Sequence, residues 1–367
     1  MQKKYSVAIV SFFEASAGGH GAAEVTLSLY NTIKFKKKLF EIKKKNIFNI
    51  LEKYKLNIFE NIFKLFKIIF LVINIKTFFK KSKNKTVIIE GASWIGYSYL
   101  TIKILKILDP NIFIIYHSHN IEYLLRLKKN NFIISFLSKF FEKKVYQISD
   151  IGTAVSKFDQ NTLKKLYSVK TVLFSNGISK KKLKILDFKK YFPKNYIIYF
   201  GSYSFFPNKQ AIDYIIQNIL PMIKKKHPNL KLVIVGQDLP DDLIKDNKEI
   251  YFYKNIKKEH LNFLIVKSKF LLAPMFKATG TKLKIIETLM LGSIVITSKE
   301  GINGITLPNK STPPFIFMKK NEIFNLIDFV LKKNKVLKKK AKLKSSFFVK
   351  NYSMENIVNN FFKKINL

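Results

Sequence analysis

The chain has no cysteine and a single tryptophan in 367 residues. That excludes a disulfide framework, thiolate chemistry and any cysteine metal site, and it fits a reducing compartment. Arginine is nearly absent too: Arg126 stands alone among 67 basic residues. Acidic side chains number only 24, so the formal net charge is +43. Readers of nucleic acid depend on arginine forks for guanine and phosphate. A surplus made of lysine argues against that class, and no nucleic-acid partner is expected. Two other sources of the surplus stay open. One is a compositional bias toward lysine, isoleucine, asparagine and phenylalanine; the other is attraction to an anionic membrane surface. Long apolar runs are also missing. The most apolar window, 62–79, is interrupted by Lys64, Lys67, Asn74 and Lys76, so no spanning helix is expected. After Lys3 and Lys4, the apolar run 5–10 is too short for a secretory leader.

What is present is enough apolar material, 47% of residues, for a large core, in a length that suits two ordinary domains. Segments 5–11, 86–90, 111–116, 150–155 and 170–174 read as strands, with helices at 22–33, from after Trp94 to about 108, and at 131–148. Ser156 with Asp159 three residues on forms a helix cap. After a linker at 179–194 the pattern restarts. Strands at 196–200, 232–235, 250–253, 270–274, 293–297 and 315–318 alternate with helices after Lys209 to 226, at 257–266, at 282–292 and near 320–333. Such alternation calls for doubly wound parallel sheets. The expected fold class is therefore α/β with two Rossmann-like domains, 1–185 and 186–350, followed by a C-terminal helix in 351–367.

The densest chemistry lies in 270–304. A buried strand ends near Pro274, the turn Ala278-Thr279-Gly280-Thr281 follows, and from Lys282 the apolar period becomes helical, with Leu283, Ile286 and Met290 on one face. Free N–H groups and the positive end of the dipole make a helix start an anion site. Lys282 and Lys284 add charge there, and Glu287 leans back toward the same mouth. Lysines for phosphate and a carboxylate for a ribose diol would read a nucleoside diphosphate. The alternative is an ordinary βαβ unit whose Lys284 and Glu287 form a solvated pair along the helix. Further upstream, the strand 111–116 runs into His117-Ser118-His119-Asn120-Ile121-Glu122. Two histidines one residue apart suggest a metal, but no cysteine or third histidine lies near, and no metal is expected.

The run Gly280, Thr281, Lys282, Leu283, Lys284, Glu287, Gly292 and Glu300-Gly301-Ile302 resembles the sugar-donor signature of the family-4 retaining glycosyltransferases, which have the GT-B fold. Many members carry two glutamates eight positions apart; here the first position is Thr279. The resemblance covers most of the chain, densest at 195–304. It implies two Rossmann-like domains facing a cleft, with the C-terminal helix crossing back to the first domain. Glu287 would bind the ribose, and Gly280, Thr281, Lys282 and Leu283 the diphosphate. The opening of the second domain, Gly201-Ser202 with Pro207-Asn208-Lys209, is similar to the family's, and Lys209 would meet the diphosphate. Gly18 and Gly19 would form the loop near the sugar-donor phosphates, and His119 would contact the sugar beside the reacting carbon, with His117 as second choice. The implied activity is hexosyl transfer from a nucleotide-diphosphate sugar to a glycan or lipid-linked acceptor, with retention, without metal or cofactor, in a cytoplasmic protein of cell-surface polysaccharide or lipopolysaccharide synthesis.

Residues 34–82 fit that family least. Lysine triplets at 36–38 and 43–45 precede Ile58-Phe59, Ile62-Phe63, Leu65-Phe66 and Ile69-Phe70 at helical spacing. A basic, aromatic amphipathic helix of this kind lies in the interface of an anionic membrane, or else packs its apolar face on the first sheet. Family members that elongate lipid-linked glycans dock on the inner leaflet in this way. Three rivals remain. A nucleotide-sugar epimerase would need a cluster of carboxylates and histidine that is not seen beyond Glu122 and Glu287. A basic nucleic-acid binder would show salt-dependent binding with no affinity for a nucleotide sugar. A membrane scaffold that kept the fold without activity would draw on Thr279.

Overall fold

The computed structural model describes residues 5–16, 21–42, 57–92, 95–127, 132–276, 280–308 and 313–367, with side chains of the helix 57–79 described from Phe66 onward. Gly18, Gly19 and Thr279 lie outside the described residues. Two compact units divide the chain. Met1–Asn176 with Ile357–Leu367 form unit 1, and Gly177–Asn356 form unit 2.

Unit 1 runs β1 (Tyr5–Ser11), α1 (Gly21–Thr32), β2 (Lys36–Glu41), α2 (Asn57–Phe79), β3 (Asn84–Glu90), α3 (Ile95–Leu108), β4 (Phe113–His117), α4 (Glu122–Leu127), α5 (Phe132–Ile148), β5 (Ile151–Ala154), α6 (Lys157–Tyr167) and β6 (Val172–Leu173). The strands form one parallel sheet in the order β2-β1-β3-β4-β5-β6. Val7, Ala8, Ile9 and Val10, like Val87, Ile88 and Ile89, are buried on both faces, as continuous apolar strands under two helical layers must be. Most of the last helix, from Ile357, belongs to this unit: Phe361 stacks on Phe174 at 4.0 Å, and Phe362 meets Phe35 edge-on at 5.3 Å.

The lysine-rich start of the 34–82 segment is not helical. Residues 36–41 are an edge strand on which Lys36 and Lys38 are exposed and Phe40 is buried. Lysines on an edge keep its unpaired backbone from recruiting another chain.

Unit 2 runs β7 (Tyr196–Phe200), α7 (Phe206–Tyr214), α8 (Leu220–Lys226), β8 (Lys231–Gly236), α9 (Asp241–Asp246), β9 (Tyr251–Lys254), α10 (Lys258–Lys267), β10 (Leu271–Ala273), α11 (Leu283–Met290), β11 (Val295–Ser298), β12 (Phe315–Phe317), α12 (Glu322–Lys332) and α13 (Asn334–Tyr352), with α14 (Met354–Lys364) closing the chain. Its parallel sheet has the order β12-β11-β10-β7-β8-β9. The helix expected from after Lys209 to 226 starts earlier, at Phe206, and is interrupted by a wide turn at Ile215–Ile219. Pro221 explains this, because it has no N–H to donate and crowds the carbonyl one turn back.

Strand order reverses between β1 and β3 in unit 1, and between β7 and β10 in unit 2. Ligands of open α/β sheets bind beyond the carboxyl ends of strands at such reversals. Each unit carries a polar cluster at that place.

Candidate active site

In unit 2 the cluster forms where β7 ends at Tyr199-Phe200-Gly201. Gly201 has φ of +151°, and a Cβ added there would stand 2.7 Å from both Lys284 Nζ and Asn208 Nδ2. Glycine is therefore what allows an ammonium to rest against the strand end. Lys284, in the first turn of α11, donates to Tyr199 Oη at 2.8 Å and to Asn208 Oδ1 at 2.7 Å. Its Nζ also lies 4.2 Å from the centre of the Tyr199 ring. Tyr199 donates to the same Asn208 oxygen at 3.0 Å, and Asn208 Nδ2 donates to Ser202 O at 2.8 Å. Both hydrogen-bond partners of Lys284 are neutral, and among the described residues no carboxylate pairs with it. The stem is partly accessible, but the ammonium is enclosed, and that burial pulls its pKa down to about 7. Burial pushes the Tyr199 phenol well up, so it stays a donor.

The turn before α11 behaves as its glycine predicts: Gly280 has φ of +66°. Lys282 occupies the extended position before the helix, and its carbonyl accepts from Ile285 and Ile286 at 3.0 and 3.3 Å. Lys282 itself is buried, with Nζ donating to Gly280 O at 2.6 Å. Thr281 Oγ1 is buried with no hydrogen-bond partner among the described residues, and Leu283 packs on the core. Glu287 is 4% exposed and forms an ion pair with Lys258 of α10. Lys258 Nζ lies 5.8 Å from the Phe200 ring. Lys182 shares this environment: burial lowers its pKa, Lys258 lowers it further, and Glu287 opposes both. The solvated Lys284–Glu287 pair allowed by their spacing does not form, since one turns to Tyr199 and the other to Lys258.

Lys209 is not brought to this cluster. Its ammonium pairs with Asp213 at 2.6 Å on an exposed helix face. Sequence reasoning missed Tyr199, Asn208, Lys258 and Lys182. The motif Pro207-Asn208 was a signal for the second, but nothing in 179–194 set Lys182 apart from its neighbouring lysines.

In unit 1 the corresponding strand ends are those of β3 and β4, where Glu90 and His117 lie opposite each other in register. The Glu90 carboxylate, fully buried, takes three bonds: His117 Nδ1 at 3.0 Å, His119 Nε2 at 2.6 Å and Thr26 Oγ1 of α1 at 2.6 Å. Burial alone would raise the Glu90 carboxyl. The two imidazoles outweigh it by charge and hydrogen bonding, and hold Glu90 far below the ordinary carboxylate range. An ionised carboxylate only accepts, so His117 Nδ1 and His119 Nε2 must each carry a proton. Burial lowers the His119 pKa against the pull of Glu90, which leaves a neutral imidazole with its lone pair on Nδ1. The His117 and His119 rings are 4.7 Å apart, His117 packs on Phe174 at 4.5 Å, and His117 Nε2 is buried without a hydrogen-bond partner. The ligand-type atoms of the three residues lie within 4.8 Å of one another, as in a metal triad, with each imidazole hydrogen-bonded to Glu90. Glu90 and Thr26 were not anticipated, because the strand pairing that unites them is not written in local spacing.

Residues 194–323 match the family Glycosyl transferases group 1. No curated protein matches the chain. Among solved structures, HepE from Anabaena in complex with UDP is 11% identical, with 98% of this chain and 99% of that one aligned at a TM-score of 0.68. Sucrose-phosphate synthase from Thermosynechococcus elongatus is 13% identical over 98% of both chains, at 0.69. A glycosyltransferase from Rickettsia africae is 15% identical over 99% of this chain and 98% of that one, at 0.64. Identities this low speak for the fold, and the fold they share with this chain is GT-B. The chain thus carries a Glycosyl transferases group 1 domain, running from β7 to the start of α12, within a GT-B fold.

Proposed function

We propose that this protein moves a hexosyl group from a nucleotide-diphosphate sugar to a glycan or lipid-linked acceptor, with retention of configuration and without a metal. The observation that carries the reading is the enclosed Lys284 ammonium, held by neutral groups at a helix start. A buried cation lacking a counter-ion is costly, and an incoming diphosphate would supply one. As the sugar–phosphate bond breaks, charge grows on the departing diphosphate. Lys284, Lys282 and the first N–H groups of α11 offset it without reorganising. The unpartnered Thr281 hydroxyl suits a phosphate oxygen, and Gly18 and Gly19 are assigned to the same phosphates. Glu287 takes the ribose hydroxyls, exchanging part of its pairing with Lys258. Unit 1 receives the acceptor, with His119 beside the reacting sugar and Glu90 and His117 holding its orientation.

HepE has been solved with UDP-glucose, so that nucleotide sugar is the first to assay. Glu287→Ala is expected to weaken nucleoside-diphosphate binding about tenfold or more, the usual effect of losing a hydrogen bond to a charged group. Titration calorimetry with UDP measures it, and an unaltered dissociation constant would remove the ribose role. Lys282→Ala is expected to lower kcat roughly a hundredfold or more while the thermal midpoint moves little. A variant that turns over as fast as the parent would end the assignment of Lys282 to the diphosphate.

Among the described residues, no helix is long and apolar enough to cross a membrane. We place the protein on the cytoplasmic face of one instead, held through the helical part of 34–82, where it would extend a lipid-linked polysaccharide or lipopolysaccharide. Phe66, Ile69, Phe70 and Ile73 of α2 are at least half exposed, which supports that placement.

A further inference from the structure

Helix α5 is inside out over its first three turns. The residues it buries there are Ser135, Ser138 and Glu142, while Phe132, Ile133, Phe136 and Phe140 are 52–79% exposed. A surface helix ordinarily does the reverse. The inward face has a structural reason. Glu142 Oε1 accepts from Glu122 N at 2.8 Å and Oε2 from Tyr123 N at 3.2 Å, capping α4, while Tyr167 donates to Oε2 at 2.6 Å. Among the described residues the outward aromatics have no such reason. They recur as Ile133, Phe136, Leu137 and Phe140, one stripe at helical spacing, and Lys139, Lys143 and Lys144 are exposed on the same helix. Glu142 is the only acid in α5, and it is buried.

Helix α2, apolar on its inner face, also exposes an apolar stripe. It packs Ile68, Leu71, Val72 and Ile75 on the core and exposes Phe66, Ile69, Phe70 and Ile73 on its other side. Helix α3, which contains no acid, packs against both α2 and α5. The three helices thus give unit 1 one covering layer with two apolar ridges and, among the described side chains, lysine as its exposed charge.

We infer that α5 is a second membrane-inserting element, and that α2 and α5 together seat unit 1 on an anionic lipid surface. The inference rests on the membrane reading of 34–82 and extends it to a helix that lies outside that segment. Charge selects lipid over a second copy of this chain. A self-pairing through this layer would set lysine against lysine, whereas anionic headgroups complement lysines that flank an apolar stripe.

The test is flotation of the full chain on vesicles of phosphatidylcholine alone and with phosphatidylglycerol. The parent protein should float with the mixed vesicles only. The pair Phe136→Asp with Phe140→Asp should lower partitioning at least about tenfold, with UDP binding by calorimetry unchanged as proof of folding. Because these side chains are already exposed, their replacement should not unfold α5. Undiminished flotation of this variant, while Phe66→Asp with Phe70→Asp loses it, would overturn the role of α5 and leave that of α2 standing. A parent that never floats but dimerises by light scattering, and is made monomeric by the α5 pair, would overturn both in favour of self-association.

Discussion

Lys284→Met is expected to remove most of the transferase activity and to make the protein harder to unfold. Methionine keeps the length of the stem and drops the charge. If the ammonium offsets charge on the leaving diphosphate, its loss should lower kcat by about 10²–10³. Stability should move the other way. The folded pKa of about 7 lies below the lysine value of about 10.4 in an unfolded chain. Below pH 7 the folded state therefore bears the full cost of burying the charge. That cost shrinks as pH rises from 7 and is gone above the unfolded value. Tyr199 still donates to Asn208 Oδ1 once the ammonium is gone, so no acceptor is orphaned. A gain of about 1–2 kcal/mol at pH 7, seen as a rise of a few degrees in the thermal midpoint, is the expected size, fading toward pH 10. The same titration predicts that the parent binds UDP less well as pH rises through about 7, since only the charged form attracts a diphosphate, and that Lys284→Met flattens this dependence. Full activity in the variant, or a melting point lowered at every pH, would contradict the assignment.

Glu90→Gln should have a comparable effect by another route. The glutamine keeps the shape but loses the charge that fixes which nitrogen of His117 and of His119 carries the proton. Partners that orient an imidazole in this way are typically worth ten- to a hundredfold in activity. A loss of that size in kcat is expected, with UDP affinity unaltered because the proposed nucleotide site lies in unit 2. Glu90 also raises the His119 pKa against burial, so the limb of the pH–rate profile set by His119 should shift to lower pH. The carboxyl is depressed in the folded state. Its stabilising contribution is therefore present above the unfolded carboxylate value near 4.3 and is lost only as pH falls through the lower folded value. Breaking such a buried arrangement costs about 3–5 kcal/mol at neutral pH. Glu90→Asp, which restores the charge, should recover part of the rate and bring the profile back. If Gln and Asp behave alike in rate and profile, Glu90 is structural packing and no more.

Much of this was legible before the structure. The runs Val-Ala-Ile-Val, Val-Ile-Ile-Glu and Tyr-Ile-Ile-Tyr-Phe read as strands because a parallel sheet buried on both faces needs apolar residues at every position. The helix start at Lys282 was readable from the change of period after Gly280. The partners of these residues were not. Lys284 meets Tyr199 and Asn208 across 85 and 76 residues, and Glu90 meets His117 and His119 across 27 and 29. No local pattern encodes contacts made only when strands come into register. The edge strand 36–41 was hidden by its lysines, which suit an edge and obscure alternation. The inversion of α5 was hidden because an apolar stripe looks the same whether it faces a core or a membrane.

The order of its apolar and polar residues by itself determined that this chain folds as two doubly wound units, with a glycine turn leading into a lysine-bearing helix start in the second. Periodicity and glycine placement are local, so they survive without tertiary context. Only the tertiary structure decided which charges lose their water. Enclosure of Lys284 and Glu90 depends on strand order and register, and it is enclosure that turns an ordinary lysine and an ordinary glutamate into groups able to act.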